Sequence, residues 1–161
     1  MFSLLKWHLF IVFLVSFCSV GLQATEELQK AASIEKLKSS IESSERDKLT
    51  ALYDWEGVSK KQKEKIKLLW AINFAHDIQG GKPILECVKW EEFDPSPDSE
   101  LKVISSSRFL GKFVVTGKSL LKNQKDYPFE WHLSAGVDNK ENWCLIVTNL
   151  DLGRIQDASP F

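Results

Sequence analysis

The hydrophobic pattern of the sequence changes its period once, near residue 81, and this change constrains the fold more than any other feature. Before it, apolar residues recur every three or four positions, as at Ile34, Leu37 and Ile41, which is the spacing of an amphipathic helix. After it, apolar and polar residues alternate, most regularly over 129–137, which is the spacing of a half-buried strand. The chain is therefore predicted to form helices first and a sheet afterwards.

The second half of the chain is predicted to contain four strands. They cover residues 84–93, about 109–120, 129–137 and 143–150. On the first strand, Ile84, Val88 and Trp90 are expected to share one face. Short polar segments join the strands without a helical crossover, so an antiparallel meander is favoured over a parallel sheet. The predicted fold class is α+β, with N-terminal helices packed on one face of a curved, mostly antiparallel sheet of four or more strands.

Two capping signals divide the helical half of the chain. Ser44 with Asp47, and then Ser59 with Gln62, have the three-residue spacing of a capping box, and each pair predicts the start of a helix. The second of these helices carries lysines at positions 60, 61, 63, 65 and 67. Because an acidic residue interrupts the series and no aromatic residue lies within it, we interpret it as a solvated helix face. A nucleic-acid or membrane patch is the alternative.

The first 24 residues have the pattern of a secretory signal peptide. Lys6 precedes the apolar run 9–20, and Ala24 is a small residue directly before polar sequence. The run is shorter than a membrane-spanning helix, so a retained anchor is the less favoured alternative, as is a lipoprotein built on Cys18. The protein is therefore predicted to be secreted or periplasmic, with cleavage after residue 24 and no stable membrane span afterwards.

The length and composition of the chain after residue 24 indicate one domain, and they exclude one class of partner. The chain has 161 residues, of which 43% are hydrophobic, so it can bury a core and is not a disordered chain. We expect a single α+β domain over 25–150 and an untethered C-terminal tail over 151–161. A net charge of −1 argues against nucleic acid as a partner, because phosphate neutralisation requires clustered Lys and Arg.

Two cysteines, Cys87 and Cys144, remain after the predicted cleavage. In an oxidising compartment a lone pair of cysteines favours one disulfide, which would stabilise the fold by about 4 kcal/mol. Two free buried thiols are the alternative. Neither cysteine has a His or a second Cys at zinc-like spacing, so no metal site is predicted.

Residues 34–58 read IEKLKSSIESSERDKLTALYDWEGV and resemble the opening of NTF2-like (SnoaL-like, cystatin-like α+β) domains. The likeness is carried by Leu49, Leu52, Tyr53, Asp54 and Trp55. The resemblance implies a cone-shaped cavity between a curved sheet and its helices, and a homodimer. It implies little about function, because this fold hosts enzymes, ligand binders and structural modules.

The sequence contains no motif for catalysis or for a cofactor. A Gly-rich phosphate loop, HExxH, a nucleophile elbow and Cys-x-x-Cys are all missing from it, so no catalytic residue and no cofactor is predicted. His132 shares a strand face with Glu130 and Ser134, which indicates a solvated sheet face. If that face lined the cavity, His132 and Glu130 would suit proton transfer. His76-Asp77 is interpreted as a helix-end pair, with a catalytic base as the alternative.

The tryptophans are the remaining candidates for a functional role. Large aromatic residues at alternating strand positions most often belong to the core, and they otherwise line pockets or partner surfaces. The candidate ligand-binding residues are Trp55, Trp70, Trp90, Trp131 and His132.

These observations favour an exported, non-catalytic binding or interaction module with an apolar ligand pocket between helices and sheet. A small apolar molecule and a second copy of the chain are its expected partners. The alternative is a small NTF2-like enzyme of the isomerase or dehydratase type that uses a pocket His or Asp. A structural protein acting through its sheet edge or its tail is a third hypothesis.

Overall fold

The structure is a computed structural model that describes residues 25–92, 100–122 and 125–157 of the chain. The predicted signal peptide, residues 1–24, lies outside this described part. Within it, no helix is both long enough and apolar enough to cross a membrane.

The helical half contains three α-helices in series. The helix α1 covers residues 25–42, α2 covers Arg46–Thr50 and α3 covers Lys60–Asn73, which continues as a π-helix over Phe74–Ile78. The capping box that starts α3 is confirmed, because Ser59 Oγ accepts the Gln62 N–H and Gln62 Oε1 accepts the Ser59 N–H. The box predicted at Ser44 is wrong, since the N-cap of α2 is Glu45 and it makes no side-chain cap.

The second half forms a four-stranded sheet. The strands are β1 (Lys82–Glu92), β2 (Arg108–Leu120), β3 (Asp126–Val137) and β4 (Trp143–Leu145). They lie in the order β1-β2-β3-β4 and each neighbouring pair is antiparallel, so the predicted meander is confirmed. The strand β4 is shorter than predicted, because the chain after it bonds to another segment: Ile104 N–H donates to Val147 O.

An irregularity in β1 changes which of its residues face the helices. The pairing of β1 with β2 shifts register between Leu85 and Cys87, which is the signature of a β-bulge. As a result Leu85, Val88 and Trp90 pack against the core. The prediction that Ile84 shares the core face with Val88 and Trp90 is therefore wrong, and Leu85 takes that place. The extra residue of the bulge reverses which side chains before it face the core.

The core lies between the helices and one face of the sheet. The helices contribute Leu37 and Ile41 from α1 and Ile66 and Trp70 from α3, all at most 1% exposed. The sheet contributes buried residues at alternating positions, namely Phe113, Val115, Phe129, Trp131 and Leu133. The arrangement confirms an α+β fold with helices and a curved antiparallel sheet, and the alternation explains how the strands reach the core with every second residue.

The predicted disulfide between Cys87 and Cys144 is not present, and both residues are free thiols. Cys87 lies on β1 and Cys144 on β4, at opposite edges of the sheet. Three strand spacings of about 4.8 Å each already exceed the roughly 7 Å that a disulfide spans between Cα atoms. A meander holds its first and last strands apart, and this sheet order is the physical reason for the correction.

Cysteine reactivity is expected to differ between the two sites. When the native protein is treated with iodoacetamide, Cys87 should be labelled because it is exposed, and Cys144 should be protected because it is partly buried. Peptide mass spectrometry with and without prior unfolding measures both rates. A disulfide-linked pair of the two peptides in an unreduced digest would contradict the structure.

Residues 151–157 are helical, whereas the sequence predicted an untethered tail over 151–161. The helix α4 covers Asn149–Asp157. It starts with a capping box that the sequence analysis did not identify: the Thr148 N–H donates to Asp151 Oδ2 at 2.9 Å, and the Asp151 N–H donates to Thr148 Oγ1 at 3.3 Å. Leu152 packs against the core, which corrects the tail predicted over 151–161 for the helical residues.

Candidate functional site

A cleft of about 300 Å³ lies between α1 and the end of the sheet that carries β4. The helix α1 supplies Ser33, Lys36 and Leu37 to one side. The other sides come from residues 51–54, from β2 and from the hairpin that joins β3 to β4. The volume is at the lower end of the range typical of small-molecule sites.

Aromatic rings form one wall of this cleft. Phe113 and Trp143 both line it, and Trp90 packs edge-on against each of them, with ring centroids 5.1 and 5.0 Å away. Trp143 Nε1 is buried and has no hydrogen-bond partner among the residues that the structure describes. A buried donor without an acceptor costs about 1–3 kcal/mol, so this indole is the one polar group of the wall left in an unfavourable state.

The carboxylate of Asp54 is occupied by bonds within the protein. Its Oδ2 accepts a short hydrogen bond from the Ser107 hydroxyl, and its Oδ1 accepts the Glu56 N–H at 2.9 Å. The segment that carries Asp54 is itself fixed to β4, because the Asp54 N–H donates to Leu145 O. The acid therefore positions the chain at the floor of the cleft, and each of its carboxylate oxygens already accepts one hydrogen bond from the protein.

Cys144 lies beside the same serine. Its Sγ is 3.4 Å from Ser107 Oγ and 3.7 Å from Gly136 O. Burial raises the pKa of the Cys144 thiol, because a thiolate would lose its solvation there. The neutral thiol is a weak nucleophile, so this cysteine is suited to packing and not to attack on a substrate.

Asp138 closes the hairpin end of the cleft. Its Oδ1 accepts the backbone N–H groups of Asn142 and Lys140 at 2.9 and 2.7 Å. The Asn142 N–H is the main reason that the pKa of Asp138 is lowered, since it stabilises the charged carboxylate. The carboxylate holds the turn that presents Trp143 to the cleft.

Two of the predicted ligand-binding tryptophans belong to the core. Trp70 is 1% exposed and donates its indole N–H to Tyr53 Oη at 3.2 Å. Trp131 is 5% exposed and donates to Asp77 Oδ2 at 2.5 Å. Their rings meet edge to face with centroids 5.2 Å apart. Both therefore have packing and hydrogen-bonding roles within the fold.

Trp55 and Trp90 are half-buried and lie apart from each other. Trp55 stacks on Tyr53 with centroids 5.2 Å apart and donates its N–H to Thr50 O, while Lys63 Nζ lies 5.7 Å from the ring centroid. Trp90 supports Trp143 from the side and does not line the cleft itself. The structure thus brings Trp90 close to the site and leaves Trp55 beside α3.

His132 lies on the face of the sheet opposite the core. Its Nε2 is 2.6 Å from Glu130 Oε1 and its Nδ1 is 3.1 Å from Lys112 Nζ. A lysine ammonium only donates, so Nδ1 accepts in this arrangement and Nε2 carries the proton that Glu130 accepts. Lys112 also pairs with Glu91 at 3.3 Å, so the histidine is part of an exposed charge network across the strands.

A second groove, of about 310 Å³, lies along β3 beside α3. Asp77 and Glu130 border it together with Trp70, Trp131 and His132, which are three of the five predicted ligand-binding residues. The oxygens of Asp77 are both engaged, by Trp131 Nε1 and by His76 Nδ1 at 2.8 Å. Within the described ranges, no group of three or more His, Cys, Asp or Glu side chains is placed to hold a metal ion.

Most cleft residues carry no sequence signal for a binding site. Phe113 and Trp143 lie within predicted strands, Asp54 belongs to the family likeness, and Cys144 was expected in a disulfide. The polar run 138–142 lies between two predicted strands, and its Asp at the first position is the local signal for a side-chain-bonded turn. No signal along the chain could show that this turn and α1 face each other.

The sequence matches no protein-family model, and no curated protein is significantly similar to it.

Proposed function

We propose that the protein is an exported, non-catalytic binding module that holds a small, largely apolar molecule in the cleft between α1 and the sheet. The observation that carries this proposal is the composition of the cleft wall. It combines the rings of Phe113 and Trp143 with two carboxylates, Asp54 and Asp138, that already bond within the protein. Such a site offers contact area, the unpaired indole donor of Trp143 and the ammonium group of Lys36 at its α1 side. Contact area with a few polar groups is the usual chemistry of a ligand pocket.

The unpaired indole of Trp143 defines the ligand more closely. Its Nε1 is covered in the present side-chain arrangement. A small rotation of the ring toward the cleft would let a ligand acceptor, such as a carbonyl or ether oxygen, receive this N–H. The gain would be the 1–3 kcal/mol or so that the buried donor otherwise loses. We therefore expect an apolar ligand that carries at least one hydrogen-bond acceptor.

The proposal of a non-catalytic role rests on the state of the titratable groups. Asp54 accepts two hydrogen bonds from the protein, and Asp138 accepts the backbone N–H groups of Lys140 and Asn142 and the side-chain amide of Asn142. Burial raises the pKa of the Cys144 thiol. General acid–base catalysis needs a group free to exchange a proton with a bound substrate. The enzyme alternative places this chemistry in the second groove, where the partners of Asp77 and His132 favour a structural role for both.

The NTF2-like assignment is part of the same proposal. Helices over one face of a curved antiparallel sheet, with a cleft between them, support it. Members often have a short early strand pair, and in its place Tyr53 makes an isolated parallel bridge with Leu145. A homodimer is the assembly that this resemblance implies.

Native mass spectrometry of the protein purified from the exported fraction tests these proposals together. We expect a polypeptide that begins at Thr25, with an additional mass of a small molecule that is lost on denaturation. The released molecule should be extracted by organic solvent, because the cleft wall is aromatic. A dimer mass would support the predicted assembly.

A pair of adjacent substitutions on α1 separates cleft binding from other binding. Ser33 lines the cleft and Ala32 does not. Ser33→Trp should fill the space and lower the affinity for the extracted molecule at least tenfold, whereas Ala32→Trp should leave it unchanged. Both variants should keep the thermal transition of the native protein. Equal affinity of the two variants, or a chain that binds no small molecule, would remove the proposed function.

A further inference from the structure

The first two turns of α3 carry a concentration of unpaired positive charge. We define the lysine face as Lys60, Lys61, Lys63, Lys65 and Lys67. Glu64, the acid among them, pairs with Lys67 at 3.3 Å. The other four lysines lie within ion-pair distance of no carboxylate of the described residues.

Three lysines of the sheet behave differently. On the face opposite the core, Lys89 and Lys112 both pair with Glu91, and Lys118 pairs with Asp126. The charge of these three lysines is thus balanced locally. Other lysines of the described residues also lack an ion pair, among them Lys36, Lys82 and Lys102, but these are spread along the chain. The lysine face places four unpaired lysines within six residues of one helix, and so it is complementary to an anionic partner.

The position of the lysines on the helix is itself unfavourable. The N-terminal end of a helix carries a partial positive charge, and acidic residues are preferred in the first turn. The first turn of α3 contains no acidic residue, and its last turn contains no basic one. The lysines therefore add to the dipole of the helix instead of opposing it. A sequence that violates a local rule in this way often does so at a functional surface.

Two apolar groups lie on or beside this surface. Leu68 follows Lys61 by seven residues, or two helical turns, so it projects from the same side, and it is 51% exposed. The half-buried ring of Trp55 lies under Lys63, with 5.7 Å between Nζ and the ring centroid. The aromatic residue that the sequence did not place among the lysines is thus brought to them by the fold.

We propose that the lysine face docks on the surface of an anionic lipid bilayer. Lysines attract the headgroups, while Leu68 can enter the interface between headgroups and acyl chains. An acidic polymer would use the lysines and gain nothing from the exposed leucine.

Vesicle sedimentation tests this proposal on the full chain. The vesicles contain phosphatidylcholine with or without phosphatidylglycerol, and the readout is the difference in binding between the two. This difference removes any contribution of the apolar N-terminal residues, because these bind both kinds of vesicle. We expect binding that depends on phosphatidylglycerol and that weakens as the salt concentration rises.

Lys60→Gln with Lys61→Gln should lower the anion-dependent affinity by about 25-fold, since each lysine near such a surface contributes about fivefold. The matched control is Lys48→Gln with Lys89→Gln, which removes the same charge from exposed lysines elsewhere. This control should lose less than about twofold. Leu68→Ser should lose about fivefold, and Leu28→Ser, at a more exposed leucine of α1, should lose nothing.

Three results would overturn the lipid proposal. The first is equal binding to both kinds of vesicle, and the second is an equal loss in the two lysine pairs. The third is binding to duplex DNA that depends on Lys60 and Lys61 while phosphatidylglycerol vesicles are not bound. None of these results bears on the cleft, which lies on α1 and the β3–β4 hairpin.

Discussion

Trp70→Ala is expected to lower the free energy of unfolding by about 3–5 kcal/mol, the range for truncation of a buried large aromatic residue. The ring is 1% exposed and contacts Trp131 and Phe74, with centroid distances of 5.2 and 6.1 Å. Its indole N–H bonds to Tyr53, which links α3 to the segment that lines the cleft. The truncation would leave a cavity where three elements meet.

Urea unfolding followed by circular dichroism measures this effect without relying on tryptophan emission. Trp70→Phe should cost clearly less, because it keeps part of the ring volume and loses the hydrogen bond, which is worth about 1 kcal/mol. Leu28→Ala, at a residue 72% exposed, should change the stability by no more than about 0.5 kcal/mol. A loss below about 1 kcal/mol in the alanine variant at Trp70 would show that this residue is not at the centre of the core.

Gly136→Ala is expected to destabilise the protein by about 3 kcal/mol, at the upper end for overpacking. A Cβ at this position would lie 1.9 Å from the carbonyl oxygen of Arg108 and 2.6 Å from Ile146 Cδ1. Gly136 pairs with Phe109 on one side and with Cys144 on the other, so backbone approaches it from both neighbouring strands. The strands would have to separate at the end that carries the cleft.

Gly153→Ala is the control, and its expected effect on the free energy of unfolding has the opposite sign. Gly153 lies within α4, and outside the backbone of that helix and the two adjoining residues no heavy atom of the described residues lies within 4 Å of a Cβ built there. Gly153→Ala should raise helix propensity and stabilise the protein by up to about 1 kcal/mol. Thermal and urea unfolding of both variants measure the contrast. Equal changes in the free energy of unfolding for the two variants would contradict the close packing of backbone around Gly136.

The sheet topology could be predicted because it depends on local information. Alternation along 129–137 identifies a strand with one buried face, and short polar connections leave an antiparallel meander as the simple solution. The bulge in β1 could not be predicted in the same way. The stretch Ile84-Leu85-Glu86-Cys87 fits either face, and only pairing with β2 decides where the extra residue lies.

The disulfide prediction was wrong, and the strand order of the predicted meander was already enough to exclude it. Successive strands that each pair with the preceding one place β1 and β4 at opposite edges of an open sheet. Cys87 and Cys144 can approach each other only if the sheet closes or its order changes. Counting cysteines gives the number of thiols that could pair, whereas strand order gives the distance between them.

The sequence predicted that a cleft exists, but not which residues line it. The family likeness implied a cavity between helices and sheet, and a cleft is found there. Its aromatic wall uses Trp143 and Phe113, whereas the predicted Trp70 and Trp131 pack in the core and border the second groove. A tryptophan in a strand has the same sequence pattern in both settings, because burial by the helices and exposure to a cleft differ only in what lies opposite.

The sequence by itself determined which segments are helical or extended, because periodicity and capping act over a few residues. The capping box at Ser59 and the strands of the sheet are of this kind. The tertiary structure alone decided which side chains meet: the rings that line the cleft, and Trp55 beneath Lys63. These contacts join residues far apart in the chain, and their geometry depends on how the helices are placed on the sheet, which no local pattern encodes.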